Sequence, residues 1–297
     1  MNAPEKGFLL LTSHLGDQNR KPLSMAQHRT LAQRMQTMER PVEDRDLDVY
    51  DLIALGYSRD MGERILGLLA QEELLEYYIS RGKRQDCVPV TRISADYPHI
   101  LHHRLGLDSP GCLWAKGDLS LLNTPAISLV GSRDLLQENR RFAEEVGIQA
   151  AQQGLTLVSG NARGADKTAQ NACLSAGGRV ISIVADELAK HPGQENILYV
   201  SEDGFDEPFS AQRAISRNRC IHAMGRMVFV AQATLRKGGT WDGTVKNLRH
   251  GWSSVACFRD GSEAMAELEQ MGAYLLDCAD LMDLGNLCET SDNFLDR

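Results

Sequence analysis

Residues 126–166 narrow the possible folds to very few. They begin with an apolar run, Ala126-Ile127-Ser128-Leu129-Val130, followed by Gly131-Ser132-Arg133. A stretch of helix formers comes next, with Phe142, Val146 and Ala150 at four-residue spacing. A second apolar run, Leu155-Thr156-Leu157-Val158, leads into Ser159-Gly160-Asn161-Ala162-Arg163-Gly164-Ala165-Asp166. The pattern is a strand, a helix and a second strand, with a glycine turn after each strand. Glycine just past a strand lets the main chain approach an anion closely, and free N–H groups at the next helix start favour negative charge. The ligand class predicted is a nucleotide or a nucleic-acid backbone.

The rest of the chain extends this unit. Apolar runs at 179–184, 197–200, 227–231 and 254–258 alternate with helical patterns. Continuous Val/Ile/Leu runs of this kind predict an α/β fold, a Rossmann-like parallel sheet with helices on both faces. Val88-Pro89-Val90 and Cys112-Leu113-Trp114 read as short extended pieces ahead of it. A small helical domain is expected first. Ser24 caps a helix carrying Leu31, Met35 and Met38, ended by Pro41. Further helices fit Leu47–Leu55, Arg59–Leu69 and Glu72–Ser80, with Gly56 closing the first of these three. The expected organisation is a loosely ordered N-terminus (1–21), a SAM- or helix-hairpin-helix-like domain (22–86), a Rossmann-like domain (87–276) and an acidic C-terminal tail (277–297). The helix–Gly–helix pattern suits a nucleic-acid hairpin or plain packing, and packing is favoured.

The net charge of −8 argues against indiscriminate coating of nucleic acid, yet the charge is unevenly spread. Residues 210–250 hold eight cations against Asp242, a local +7, whereas residues 261–297 sum to −8. A basic site on an acidic body suits a selective anion binder. The seven cysteines are scattered, with no C-x-x-C pair, so buried thiols are expected rather than disulfides or zinc. No apolar run approaches the roughly 18 residues of a membrane span, and a cytoplasmic protein with no membrane contact is expected. G-x-x-x-x-G-K-[ST], H-E-x-x-H and G-x-S-x-G are all absent, so neither a catalytic residue, a metal site nor a cofactor is expected.

The polar candidates all follow predicted strands, where open α/β sheets bind their ligands. They are Gly131, Ser132 and Arg133; then Ser159, Gly160, Arg163, Gly164 and Asp166; then Gly238, Gly239 and Thr240, read as part of a backbone cradle before a helix. Arg133 can grip a phosphate with two donors or pair with Asp134 or Glu138. Asp166 can line the pocket or cap a helix. Arg217-Asn218-Arg219 fits a phosphate track or a set of structural ion pairs. Trp241 can stack on a base or wedge against the sheet.

In order and spacing, V-G-S-R (130–133), V-S-G-N-A-R-G-A-D (158–166), G-G-R-V-I-S-I-V (177–184), S-R-N-R-C-I (216–221) and G-G-T (238–240) resemble the DNA-processing protein A (DprA, or Smf) family. The likeness runs from about Thr91 to Leu276 and points to a divergent branch. It implies a Rossmann-like core that binds single-stranded DNA, with Arg133, Ser159, Gly160, Gly164, Asp166, Arg217, Asn218 and Arg219 lining the pocket. It also implies a RecA-type recombinase as partner during DNA-mediated transformation, and leaves a homodimer open. The chain departs from the family pattern at Gln170, where a histidine is usual, at Gln232, where a glutamate is usual, and at the Gly238-Gly239-Thr240-Trp241 turn.

Two other readings stay open. A nucleotide-sensing Rossmann-like protein of signalling or defence would use the same turns for a small ligand. A phosphoribohydrolase of the LOG type would use P-G-G-x-G-T-x-x-E. Here two extra residues interrupt that motif and Asn247 stands in place of the glutamate.

Overall fold

The structure, a computed structural model, describes residues 1–38 and 46–288. Five helices come first: α1 (Ala3–Thr12), α2 (Met25–Gln36), α3 (Val49–Ala54), α4 (Arg59–Leu69) and α5 (Glu72–Lys83). Ser24 caps α2 by accepting from the Gln27 N–H. Gly56, at φ +85°, turns the chain after α3. The expected stop at Pro41 lies outside the described residues.

The N-terminus is not loose. Asn2 and Glu5 form a reciprocal capping box at the start of α1, and Phe8, Leu9, Leu10 and Leu11 are buried. The buried Arg20 guanidinium donates to the Ser13 and Leu10 carbonyls and to Gln71 Oε1. The run Phe8-Leu9-Leu10-Leu11 is too short for a signal-peptide core, and α1 buries all four of its residues.

The helices continue into β1 (Val88–Thr91), α6 (His99–Leu105), β2 (Cys112–Lys116), β3 (Ala126–Val130), α7 (Gln137–Gln152), β4 (Thr156–Ser159), α8 (Ala165–Ser175), β5 (Arg179–Ile183) and β6 (Ile197–Ser201). Next come α9 (Ala211–Ser216), α10 (Asn218–Met224), β7 (Met227–Val230), α11 (Gly238–His250), β8 (Ser254–Phe258), α12 (Glu263–Gln270) and β9 (Tyr274–Leu276). The sheet runs β1-β2-β6-β5-β4-β3-β7-β8-β9. It is parallel from β6 through β9, with β2 and β1 added antiparallel at one edge.

Strand periodicity divides the core in two. Ile127, Leu129, Leu157, Val180, Met227 and Phe229 pack on one face, with α7 and α8 residues such as Phe142 and Ala169. Val130, Val158, Ile181, Val228 and Val230 pack on the other, with Cys220, Ile221 and Val245 of α10 and α11. Alternate residues of one strand therefore reach opposite layers, the arrangement that continuous apolar strands require. The helical segment docks through Tyr78, whose ring lies 5.2 Å from Trp114 and 4.8 Å from Phe205, and whose hydroxyl donates to Asp206 at 2.7 Å.

Residues 277–288 are not a free acidic tail. Leu281, Leu284 and Cys288 are buried, and Gln153 at the end of α7 holds the segment, donating to the Leu281 carbonyl and accepting from the Leu284 N–H. Residues 289–297 of the expected tail lie outside the described residues.

The chain order fixes where a ligand can sit. From β3 the chain steps through β4 and β5 to β6 in one direction. It then crosses back to β7, beside β3, and steps outward to β9. The strand order therefore reverses at β3, and loops diverge there to leave a crevice at the carboxyl ends.

Candidate nucleic-acid interface

A cleft of about 610 Å³ occupies that crevice. The loop after β3 supplies Gly131, Ser132 and Arg133. The loop into α8 supplies Ala162 and Asp166. The corner between α9 and α10 supplies Arg217 and Asn218, and the start of α11 supplies Lys237, Gly238, Gly239 and Thr240. Segments more than 100 residues apart in sequence thus share one concavity.

The glycines work differently from expectation. Gly164 is at φ +88°, and a Cβ there would collide with the carbonyls of Ser132 and Arg133. A Cβ on Gly160 would collide with the Arg217 guanidinium. Both residues let protein segments close on each other, and neither lines the cleft. Ser132 is also committed: its N–H donates to the Gln232 carbonyl at 2.9 Å, and its Oγ points to the same oxygen. Gln232 in turn accepts from the Leu136 N–H, an amide-for-carboxylate site that clamps the loop.

Asp166 lies in the first turn of α8, buried, and accepts from the Ala162 N–H at 3.1 Å. It braces the 160–162 loop and still reaches the cleft wall. Burial pushes its carboxyl above the ordinary aspartate range, against the opposing pull of Arg217. Arg217 is 6% exposed. Its Nη1 donates to the Ile183 carbonyl at 2.6 Å, and its buried Nε has no partner. The buried Asn161 Oδ1, on a residue at φ +63°, has none either. Buried polar atoms of this kind are rare in folded proteins, and the one on Arg217 belongs to a residue that lines the cleft.

Three expected contacts lie elsewhere. Ser159 is buried and accepts from Gln170, which also reaches Ser182, so the Gln170 departure is a structural substitution. Arg219 turns to the largely buried Glu202 at 2.6 Å and to the carbonyls of Asp108 and Ser216. Arg163 is exposed behind the β3–α7 loop and pairs with Asp134 at 2.7 Å.

The +7 stretch does not gather on the cleft. Arg213 is spent on Asp203 and on the carbonyls of Ala185 and Glu207, and Arg236 is spent on Glu267. Lys246 and Arg249 are exposed but do not line the cleft, where only Arg217 and Lys237 of the stretch appear. Local charge in sequence overstated the charge at the cleft, because Arg213, Arg217 and Arg219 are held by the fold and the other cations except Lys237 lie off the cleft. Arg133, for which a phosphate grip or a pair with Asp134 or Glu138 was open, makes no ion pair among the described residues and is exposed on the cleft.

The 238–244 segment is the helix itself rather than a loop before it. α11 begins at Gly238 with no side-chain cap, which leaves its first N–H groups without intrahelical partners, and Gly238, Gly239 and Thr240 line the cleft. Gly243 and Thr244 are buried within it, and Trp241 is 6% exposed, a wedge rather than a stacking platform. Asn247 is buried and bonded to Ser253, away from the cleft. The aromatic that does face the cleft is Phe209, 59% exposed, with Ile215 beside it. The signal for Phe209 was a lone aromatic after Pro208, just ahead of the Ser210 helix cap, where a side chain has nothing to pack on.

The family model of DNA recombination-mediator protein A matches residues 89–280, more than half of the chain. The chain belongs to this family. Over 183 residues it is 31% identical to DNA processing protein DprA of Streptococcus pneumoniae, spanning 57% of this chain and 64% of that protein. It therefore spans less than two-thirds of the length of that relative.

The likeness in fold is broader. The X-ray structure of DNA processing protein A from Streptococcus pneumoniae superposes with a TM-score of 0.71 at 24% identity, covering 95% of this chain and 98% of that one. DNA processing protein A from Helicobacter pylori, described for its single-stranded DNA binding mode, superposes with a TM-score of 0.57 at 20% identity, covering 69% and 97%. The coverage of the Streptococcus pneumoniae structure extends the likeness in fold over the helical segment as well as the sheet. No described helix is long and apolar enough to cross a membrane.

Proposed function

We propose that the chain binds single-stranded DNA, without catalysis, in the cleft at the carboxyl ends of β3, β4 and β7. One observation carries the reading: exposed Phe209 stands on the same cleft as Arg133, Lys237 and the uncapped start of α11. A base can stack on the ring while phosphates meet the cations and the helix amides. Family membership and the single-stranded DNA binding of the Helicobacter pylori protein support it. Within this reading the phosphate contacts are Arg133, Lys237 and the amides of Gly238, Gly239 and Thr240. Arg217, Asn218 and Asp166 shape the floor. The biological step is the loading of a RecA-type recombinase onto incoming DNA in the cytoplasm.

Titration of labelled oligothymidine across a salt series tests the proposal. Binding is expected to be tight at low salt and to weaken steeply as salt rises, because counterions are released. No binding at low salt overturns it. A second reading, a small-nucleotide sensor, is favoured by the cleft volume, which lies within the usual range of small-molecule sites. Thermal stabilisation by a mononucleotide, with no effect of an oligonucleotide, would select that reading instead.

A further inference from the structure

A second concavity, of about 450 Å³, lies behind the β3–α7 loop, between the opening turns of α7 and α8. Its wall carries Arg133, Arg140, Arg163 and Lys167 against a single acid, Asp134. That acid is already paired with Arg163. Arg140 makes only a long contact, 3.3 Å, to the Thr168 hydroxyl, and Lys167 is exposed with no ion pair among the described residues. On a chain of net charge −8, such a cluster runs against the prevailing sign. Like charges on neighbouring helices repel, so the cluster costs stability in the free protein unless an anion offsets it.

The second concavity adjoins the first. Arg133 and Asp134 line both, so the β3–α7 loop is a shared rim rather than a partition. The two sides differ in chemistry. The groove has Phe209 and helix amides, whereas the second concavity is lined by no aromatic residue: besides its four cations it has Asp134, Leu135, Gly164 and the neutral polar groups of Thr168 and Asn171. A surface that holds charge but cannot stack bases contacts a backbone without reading it.

We infer that a single DNA strand leaving the groove crosses the rim at Arg133 and continues over the α7–α8 face, where Arg140 and Lys167 bind its phosphates. This rests on the proposed single-stranded DNA binding and adds an exit track to it. The track lengthens the bound segment and sets the direction in which the strand leaves. Arg163 joins it when the strand displaces Asp134.

Two oligothymidines, of about 5 and about 15 nucleotides, bracket the usual site sizes and separate the two surfaces. The test compares the native chain with the double variant Arg140→Gln, Lys167→Gln, both at exposed positions, with thermal unfolding as the check on folding. The longer oligomer is expected to bind the variant about tenfold more weakly at low salt, with a log–log salt slope lower by roughly 1.4 for two lost phosphate contacts. The shorter one is expected to bind both proteins equally. Equal loss for both lengths, or no loss for either, overturns the track while leaving the groove standing. If the native chain binds neither oligomer, the proposed function itself fails. Poly-glutamate binding that the variant loses, with the longer oligomer unaffected, would assign the face to an acidic protein and overturn the track as well. The single variant Lys167→Glu provides the same comparison should the double variant unfold.

Discussion

The guanidinium of Arg217 lies over Gly160, in the space a side chain at residue 160 would fill. This pairing joins the loop after β4 to the corner before α10, and it holds a buried cation at the floor of the cleft beside Asp166. Gly160→Ala must therefore expel Arg217 or shift the loop. Overpacking of this kind typically costs about 1–3 kcal/mol. The expected outcome is a lower melting temperature together with weaker oligonucleotide binding. Unchanged stability and binding would mean that the guanidinium is free to leave its place.

Arg133 and Lys237 are the exposed cations of the groove. Each neutralised phosphate contributes about 0.7 to the salt slope for a single strand. Arg133→Gln and Lys237→Gln should each lower the slope by about that amount, and the double variant by about twice as much. By contrast Arg219→Gln should leave the slope unchanged while lowering stability, because Arg219 compensates the largely buried Glu202. A slope change for Arg219→Gln comparable to that for Arg133→Gln would put Arg219 on the DNA after all.

Two aromatics near the cleft should behave in opposite ways. Phe209 is exposed, and its replacement by Ala should weaken oligonucleotide binding by about 1–3 kcal/mol with little effect on salt slope or stability. Trp241 is buried in the first turn of α11, so Trp241→Phe should lower stability and leave binding near native. Fluorescence of Trp241 should change little on adding oligothymidine.

How much of this was legible in the sequence depends on the period of each signal. Strands such as Ala126–Val130 are apolar at every position, and their burial on two faces follows directly. β9 is only three residues long and gave no comparable run. Gly131 and Gly239 do line one crevice, and the sequence offered for this only that the polar candidates come after predicted strands. The division of labour inside it was not legible there. Ser132, Ser159 and Arg219 have the chemistry of phosphate ligands, but partners on other elements, Gln232, Gln170 and Glu202, claim them. Phe209 was hidden for the converse reason: an aromatic is presumed buried until the chain around it proves to offer no pocket. Composition over residues 1–21 likewise concealed α1, whose buried side depends on contacts with the later helices.

His222 offers a pH signature that no surface group would give. It is fully buried in α10 beneath α11, both ring nitrogens lack a hydrogen-bond partner, and Gly243 is the residue that makes room for the ring. Burial pushes its pKa down to about 3 from an ordinary value of 6.5. Between those values the unfolded chain binds a proton that the folded chain refuses. The stability contribution is thus complete above the unfolded value and is lost as pH falls towards the folded one. One proton of difference amounts to about 1.4 kcal/mol per pH unit. The buried carboxyls of Asp166 and Glu202 act in the opposite sense, since their raised values make the folded state the better proton acceptor. His222→Leu removes the histidine alone. Urea unfolding from about pH 7 to about pH 4 should show the variant losing less stability than the native chain as pH falls, by up to that slope per unit. At neutral pH it should be no less stable, because two unpartnered polar atoms leave the core. Parallel loss in both proteins would mean that the imidazole gains a proton without unfolding, and the neutral buried ring would have to be abandoned.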